Sequence, residues 1–157
     1  MKVNPLMRAF RCGKLTHSAL NGTLRLFLDP DKLTETHPVY MMIGAPREVI
    51  NRRAQRIARR LRKVVSSDVI GVEIIDGFTE MASRSLPARG IPTRYVALDP
   101  KKCSAEKLTR ELRMATPPFF TRIENERTLI DARTIADDEV PMIDLSLKCA
   151  LNALKLS

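Results

Sequence analysis

The chain of 157 residues is long enough to bury one ordinary core, and 44% hydrophobic with 29% charged residues is the composition of a folded domain, which excludes a disordered or low-complexity protein. No apolar run approaches the roughly 20 residues of a membrane-spanning helix, and no signal-peptide stretch opens the sequence, so a cytoplasmic protein with no membrane partner is expected. The net charge of +9 suggests polyanions, but eight basic residues and one acid between Ala45 and Val65 supply +7 of it, so the charge belongs to one segment.

The chain opens on Asn4-Pro5-Leu6-Met7-Arg8-Ala9-Phe10-Arg11, which reads as the middle of a domain. Arg8 and Arg11 stand i, i+3, so both guanidiniums point the same way in a helical turn and form an anion clamp. Lys14 to Leu28 carries Leu15, Ala19, Leu20, Leu24, Phe27 and Leu28 near a 3.6 period and predicts a helix that Asp29-Pro30 stops. Asp31 to Thr36 adds a turn. Val39-Tyr40-Met41-Met42-Ile43, a short apolar run before Gly44, reads as a strand or an extended link.

Pro46 then opens a helix whose stripe is Ile50, Ala54, Ile57, Leu61 and Val64. Its arginines read first as a solvated face, because no aromatic platform accompanies them; an RNA-binding helix is the other reading. Val69 to Ile75 is β-branched and predicts a strand, Phe78 to Gly90 a loop, and Thr93 to Leu98 a second strand. Ser104 caps a helix through Met114 that Thr116-Pro117-Pro118 breaks. Phe119–Glu124 and Arg127–Ala132 predict a hairpin about Asn125-Glu126, with Phe120, Arg122 and Glu124 on one face. A last helix carries Val140, Ile143, Leu147, Ala150, Leu151 and Leu154. This order predicts an α+β layer, with helices on one face of a mostly antiparallel sheet.

Chemistry-bearing side chains are sparse. Cys12, Cys103 and Cys149 are odd in number and form no C-x-x-C pair, which supports neither a disulfide framework nor a metal site. His17 and His37 have no acidic or cysteine neighbours at ligand spacing.

Taken together, Asn4 to Arg11, Lys14-Leu15-Thr16 and Thr23 to Pro30 resemble the region after the catalytic lysine in bacterial selenocysteine synthases, the L-seryl-tRNA(Sec) selenium transferases. Ser85-Leu86-Pro87, Ile91-Pro92-Thr93, Val96-Ala97-Leu98, Pro117-Pro118 and the run Arg122 to Ile135 resemble that family's C-terminal domain in the same order. The resemblance implies a fold type I pyridoxal-phosphate enzyme, of which residues 1–36 are the end of the large domain and connecting helix, and residues 37–157 the C-terminal small domain. It implies that Arg8 and Arg11 hold an anionic selenium donor and that Arg84 and Ser85 belong to an active-site loop.

The family's Schiff-base lysine lies upstream of the matching segment, and Lys14 matches a different family lysine. The resemblance therefore implies no catalytic residue in this chain, no covalent binding of pyridoxal 5'-phosphate to it, and no activity alone. Its implied partners are the missing large domain, other subunits of a homo-oligomer, and tRNA(Sec) held mostly by other regions. Gly13 stands where the family usually has Asp, and Met81-Ala82-Ser83-Arg84 replaces a glycine-rich stretch. That departure keeps open a related pyridoxal-phosphate enzyme fragment acting on a small amino-acid or sugar-acid substrate, alongside a free-standing docking or RNA-binding module.

Overall fold

A computed structural model describes residues 11–79 and 90–156. The chain divides into two compact units, Met1–Gly44 and Ala45–Ser157.

In the first unit, α1 spans Lys14–Leu26, a 3-10 turn covers Pro30–Lys32, and α2 (Leu33–Thr36) and α3 (Pro38–Gly44) follow. None of these four elements buries a residue fully. The expected strand or link at Val39–Ile43 is therefore corrected to a helix. Pro38 locks φ near the helical value at the first position, where its missing N–H costs nothing. A five-residue apolar run has no periodicity of its own to decide between the two states. Helix formation brings Tyr40 beside His37 and Phe27, three rings meeting edge to face at centroid distances of 5.2 to 5.7 Å. His37 is thus a packing residue.

The second unit runs α4 (Arg47–Val64), β1 (Ile70–Thr79), β2 (Ile91–Pro100), α5 (Ala105–Met114), β3 (Arg122–Glu124), β4 (Arg127–Asp131) and α6 (Val140–Ala153). The strands form one antiparallel sheet in the order β1-β2-β4-β3. Strand alternation sends Ile70, Val96, Leu98 and Ile130 to one face, where they pack with Ile57 and Leu61 of α4, Leu108 and Leu112 of α5, and Val140 and Leu147 of α6. All three helices lie on that face, so the architecture is the α+β layer that the element order predicts. Ser104 caps α5 by accepting a hydrogen bond from the Lys107 amide at 3.3 Å.

Two sequence expectations change here. β1 continues past Ile75 to Thr79, so Phe78 and Thr79 pair with Pro92 and Ile91 and are not in a loop. Gly77 makes this possible: a Cβ at that position would collide with the Tyr95 ring, which lies across it. The first hairpin strand is also shorter than expected, three residues from Arg122. Its turn is as the sequence implies. Asn125 and Glu126 take φ of 50° and 58°, a pair of left-handed residues that fits the right-handed twist of the flanking strands.

The outer edge of β1 is partly occupied: the Arg62 guanidinium, from the last turn of α4, donates to the Val72 carbonyl at 2.8 and 3.3 Å.

Candidate functional site

The face of the sheet away from the helices carries a second, smaller cluster of Tyr95, Ala97 and Leu129 with Ile75 against it. At the end of this face, where the β1–β2 ladder closes at Thr79 and Ile91, one carboxylate gathers three strands. Asp131 closes β4 opposite Tyr95. Its Oδ1 accepts from the Thr93 hydroxyl of β2 at 2.6 Å and from the Arg133 amide at 2.9 Å. Its Oδ2 accepts a hydrogen bond from the Thr79 hydroxyl of β1. Charge-assisted bonds of this kind are about twice as strong as neutral ones.

Arg133 follows immediately and is 5% exposed. Its Nη2 donates to the Pro92 carbonyl at 2.7 Å and its Nη1 to the Ala45 carbonyl at 3.5 Å. Burial lowers the pKa of this guanidinium, and the neighbouring Asp131 carboxylate opposes that shift. Asp131 and Arg133 together tie Thr79 of β1 and Thr93 and Pro92 of β2 to the end of β4.

Beside these residues the sheet face is concave. A cavity of about 660 Å³ is lined by Ile75, Gly77, Tyr95, Arg122, Arg127 and Leu129 among others. Tyr95 is fixed by its hydroxyl, which donates to the Phe78 carbonyl at 2.6 Å, and the Arg122 guanidinium lies 5.6 Å from its ring centroid. Arg127 pairs with Glu73 at 3.2 Å, and Arg122 pairs with Glu124. Asp76 and Glu124 also line the cavity, so the charges of its arginines are balanced within the surface. Among the described residues no group of three or more His, Cys, Asp or Glu side chains could hold a metal ion.

Of the residues that the sequence singles out, Arg11 alone is described. It is exposed and makes no hydrogen bond or ion pair with another described residue. Arg8, Arg84 and Ser85 lie outside the described residues. The residues that flank 80–89 are described: Thr79 pairs with Ile91, and the Thr79 hydroxyl donates to Asp131. Thr79, Thr93, Asp131 and Arg133 carry no assigned role in the sequence reading. No local signal could have found them, because Thr79 falls in the segment expected as a loop and the donors to Asp131 lie 52 and 38 residues away.

The α4 arginines divide into two groups. Arg53 grips Asp137 with two bonds of 3.0 and 3.3 Å and also donates to the Ala132 carbonyl. Arg60 pairs with Asp144 at 2.6 Å, Arg47 with Asp76 at 3.4 Å, and Arg62 holds Val72. Arg52, Arg56, Arg59 and Lys63 are exposed and make no hydrogen bond or ion pair with a described residue.

A helix-backed antiparallel sheet, preceded by a helical unit, is the α+β architecture that the element order predicts. Residues 1–136 match the family described as L-seryl-tRNA selenium transferase, and the chain belongs to that family. It is similar to the L-seryl-tRNA(Sec) selenium transferase of Nitratidesulfovibrio vulgaris, 38% identical over 151 residues that are 96% of this chain and 32% of the relative. The enzymes of the same description from Geobacter sulfurreducens and Desulfovibrio desulfuricans are each 36% identical, over 94% and 96% of this chain. The chain spans about a third of the length of these curated relatives, 32% in each case. Among the described residues, no helix is long and apolar enough to cross a membrane.

Proposed function

We propose that this chain supplies the C-terminal, small-domain share of an L-seryl-tRNA(Sec) selenium transferase, a cytoplasmic enzyme that makes selenocysteinyl-tRNA(Sec) from seryl-tRNA(Sec) and selenophosphate. The observation that carries the reading is the collinear match over 96% of the chain against 32% of the relative. Residues 1–36 act in it as the end of the large domain and the connecting helix, and residues 37–157 as the small domain. The exposed apolar side chains of α1, Leu15, Leu20 and Leu24, support a large-domain surface as its partner. Other subunits of a homo-oligomer supply the rest.

Pyridoxal phosphate needs a shielded lysine for its covalent linkage. Every described lysine is exposed, and Lys32 and Lys101 are paired with Asp29 and Asp99. The described residues do not by themselves fit this cofactor, and in this reading the lysine comes from the large domain. The share of this chain is to bind and position. Arg8 and Arg11 hold the anionic donor as planar forks against its oxygens, and Arg84 and Ser85 belong to the active-site loop.

The test is reconstitution. This chain, the lysine-bearing remainder of the Nitratidesulfovibrio relative, pyridoxal phosphate, seryl-tRNA(Sec) and selenophosphate are combined, and selenocysteinyl-tRNA is quantified. Product is expected only with both proteins, and Arg11→Ala lowers the rate by about 100-fold, the scale for removing a donor to a developing anion. Product from the two proteins together that is unchanged by Arg8→Ala and Arg11→Ala would overturn the donor-site assignment. A visible absorbance band from this chain and the cofactor alone would overturn the division of labour.

A further inference from the structure

The exposed cations of α4 fall on one line. Arg52, Arg56, Arg59 and Lys63 are spaced by four, three and four residues, which keeps them within about 60° of arc and spreads them over about 16 Å of helix. Gln55 lies on the same face, and Glu48, one turn before Arg52, bounds the stripe at its N-terminal end. The acidic group whose field reaches it is Asp137, which Arg53 already engages; Arg56 and Arg52 contribute to its lowered pKa more weakly than Arg53. Four of the eight basic side chains of this helix thus have fixed partners within the fold, and four have none among the described residues.

We infer that this stripe is a docking surface for the phosphate backbone of a folded RNA. Phosphodiester oxygens match guanidinium forks at this spacing, and their contacts require no aromatic platform. A membrane surface fits poorly, because the apolar face of α4 (Ile50, Ala54, Ile57 and Leu61) is buried in the core and leaves nothing to insert among lipids. A protein partner fits poorly too, because the exposed face offers no aromatic or aliphatic anchor. The choice of RNA over DNA rests on the selenium-transferase reading; the phosphate contact itself does not. The contact is independent of base sequence and adds a grip on the nucleic acid at a distance from the chemistry.

The test uses the full chain and an unmodified transcript of tRNA(Sec), with affinity measured as a function of salt. Four phosphate contacts give a slope of about −3.6 in log K against log salt. The quadruple variant R52Q/R56Q/R59Q/K63Q is expected to flatten that slope by about three to four units. R52E/R56E/R59E/K63E should abolish binding, while K102E/K107E/R110E/R113E, with the same net charge, should retain most of it. Circular dichroism confirms that each variant is folded, and the Gln set serves should the Glu set unfold. Equal weakening by both Glu sets would overturn the proposal, as would an unchanged slope in the Gln variant. So would equal or tighter binding to a DNA duplex of the same length, or capture by phosphatidylserine vesicles without RNA binding. None of these measurements reads selenium transfer, so failure here and failure of the reconstitution are separate results.

Discussion

At Asp131 a single carboxylate accepts from two threonine hydroxyls on two strands and from the amide of Arg133. Asp131→Asn keeps the shape but removes the charge and turns one acceptor into a donor facing other donors. Hydrogen bonds to charged groups contribute about 1.5–3 kcal/mol each, and the losses are not additive. We therefore expect a total cost of about 2–4 kcal/mol, read by urea unfolding; a cost below about 0.5 kcal/mol would show that the node is not structural. Asp137 gives a pH prediction. The hydrogen bond from Arg53 holds its pKa below the ordinary value, aided by the fields of Arg53, Arg56 and Arg52 and opposed by burial. A depressed folded pKa means that the stabilisation is complete above the unfolded value near 4 and is lost as pH falls through the lower folded value. Asp137→Asn should flatten that acid limb of the stability curve and leave the neutral region otherwise similar in shape. Cys103 is the third case: burial raises its thiol pKa against the pull of Lys107. At neutral pH it should be alkylated more slowly than the exposed Cys12 and Cys149, as peptide mapping after iodoacetamide would show.

At the level of elements, the β3–β4 turn holds Glu126 at φ 58°, a conformation that costs an ordinary L-residue about 1 kcal/mol. Glu126→Gly should therefore stabilise the protein by up to about 1 kcal/mol, and a loss of stability would mean that the Glu126 side chain has a compensating partner. The hairpin was legible in the sequence because Asn-Glu sits between two alternating runs, and α4 and α6 were legible from their apolar stripes. The helix at Pro38–Gly44 was not, because five consecutive apolar residues give the same signal in a strand and in a helix. The true end of β1 was hidden for a different reason. Phe78 and Thr79 extend the strand because Gly77 leaves room for a ring two residues along the neighbouring strand, a packing relation with no local sequence signature. The Asp131 node was missed in the same way: its donors, Thr79 and Thr93, lie 52 and 38 residues away.

Across the whole molecule, burial is uneven. The second unit contains a core in which Ile57, Leu61, Leu108, Leu147 and Val96 are at most 1% exposed, whereas Leu15 of α1 is 88% exposed. Leu147→Ala is expected to cost about 2–5 kcal/mol, the range for truncating a fully buried leucine, and to lower the unfolding midpoint of the second unit. Amides of α1 should exchange with solvent far faster than those of β2, since α1 has no buried residue to hold its hydrogen bonds closed. Comparable protection of both in the free chain would show that α1 has found a cover of its own.

The arginine that grips the Val72 carbonyl also bears on how this sheet avoids its own kind. β1 is a ten-residue terminal strand, and an open strand edge of that length is a template on which a second copy can add its own strand. The three-residue β3 is too short to act this way at the other end. Arg62 fills a backbone acceptor near the start of the long edge, at the third of its ten residues, and sets a charge there, so an incoming strand would have to displace a guanidinium before it could pair at that end. Its value to the protein then lies less in the stability of one folded chain than in keeping many chains apart. Arg62→Gln should fold with nearly unchanged stability, yet scatter more light than the parent when refolded at high concentration.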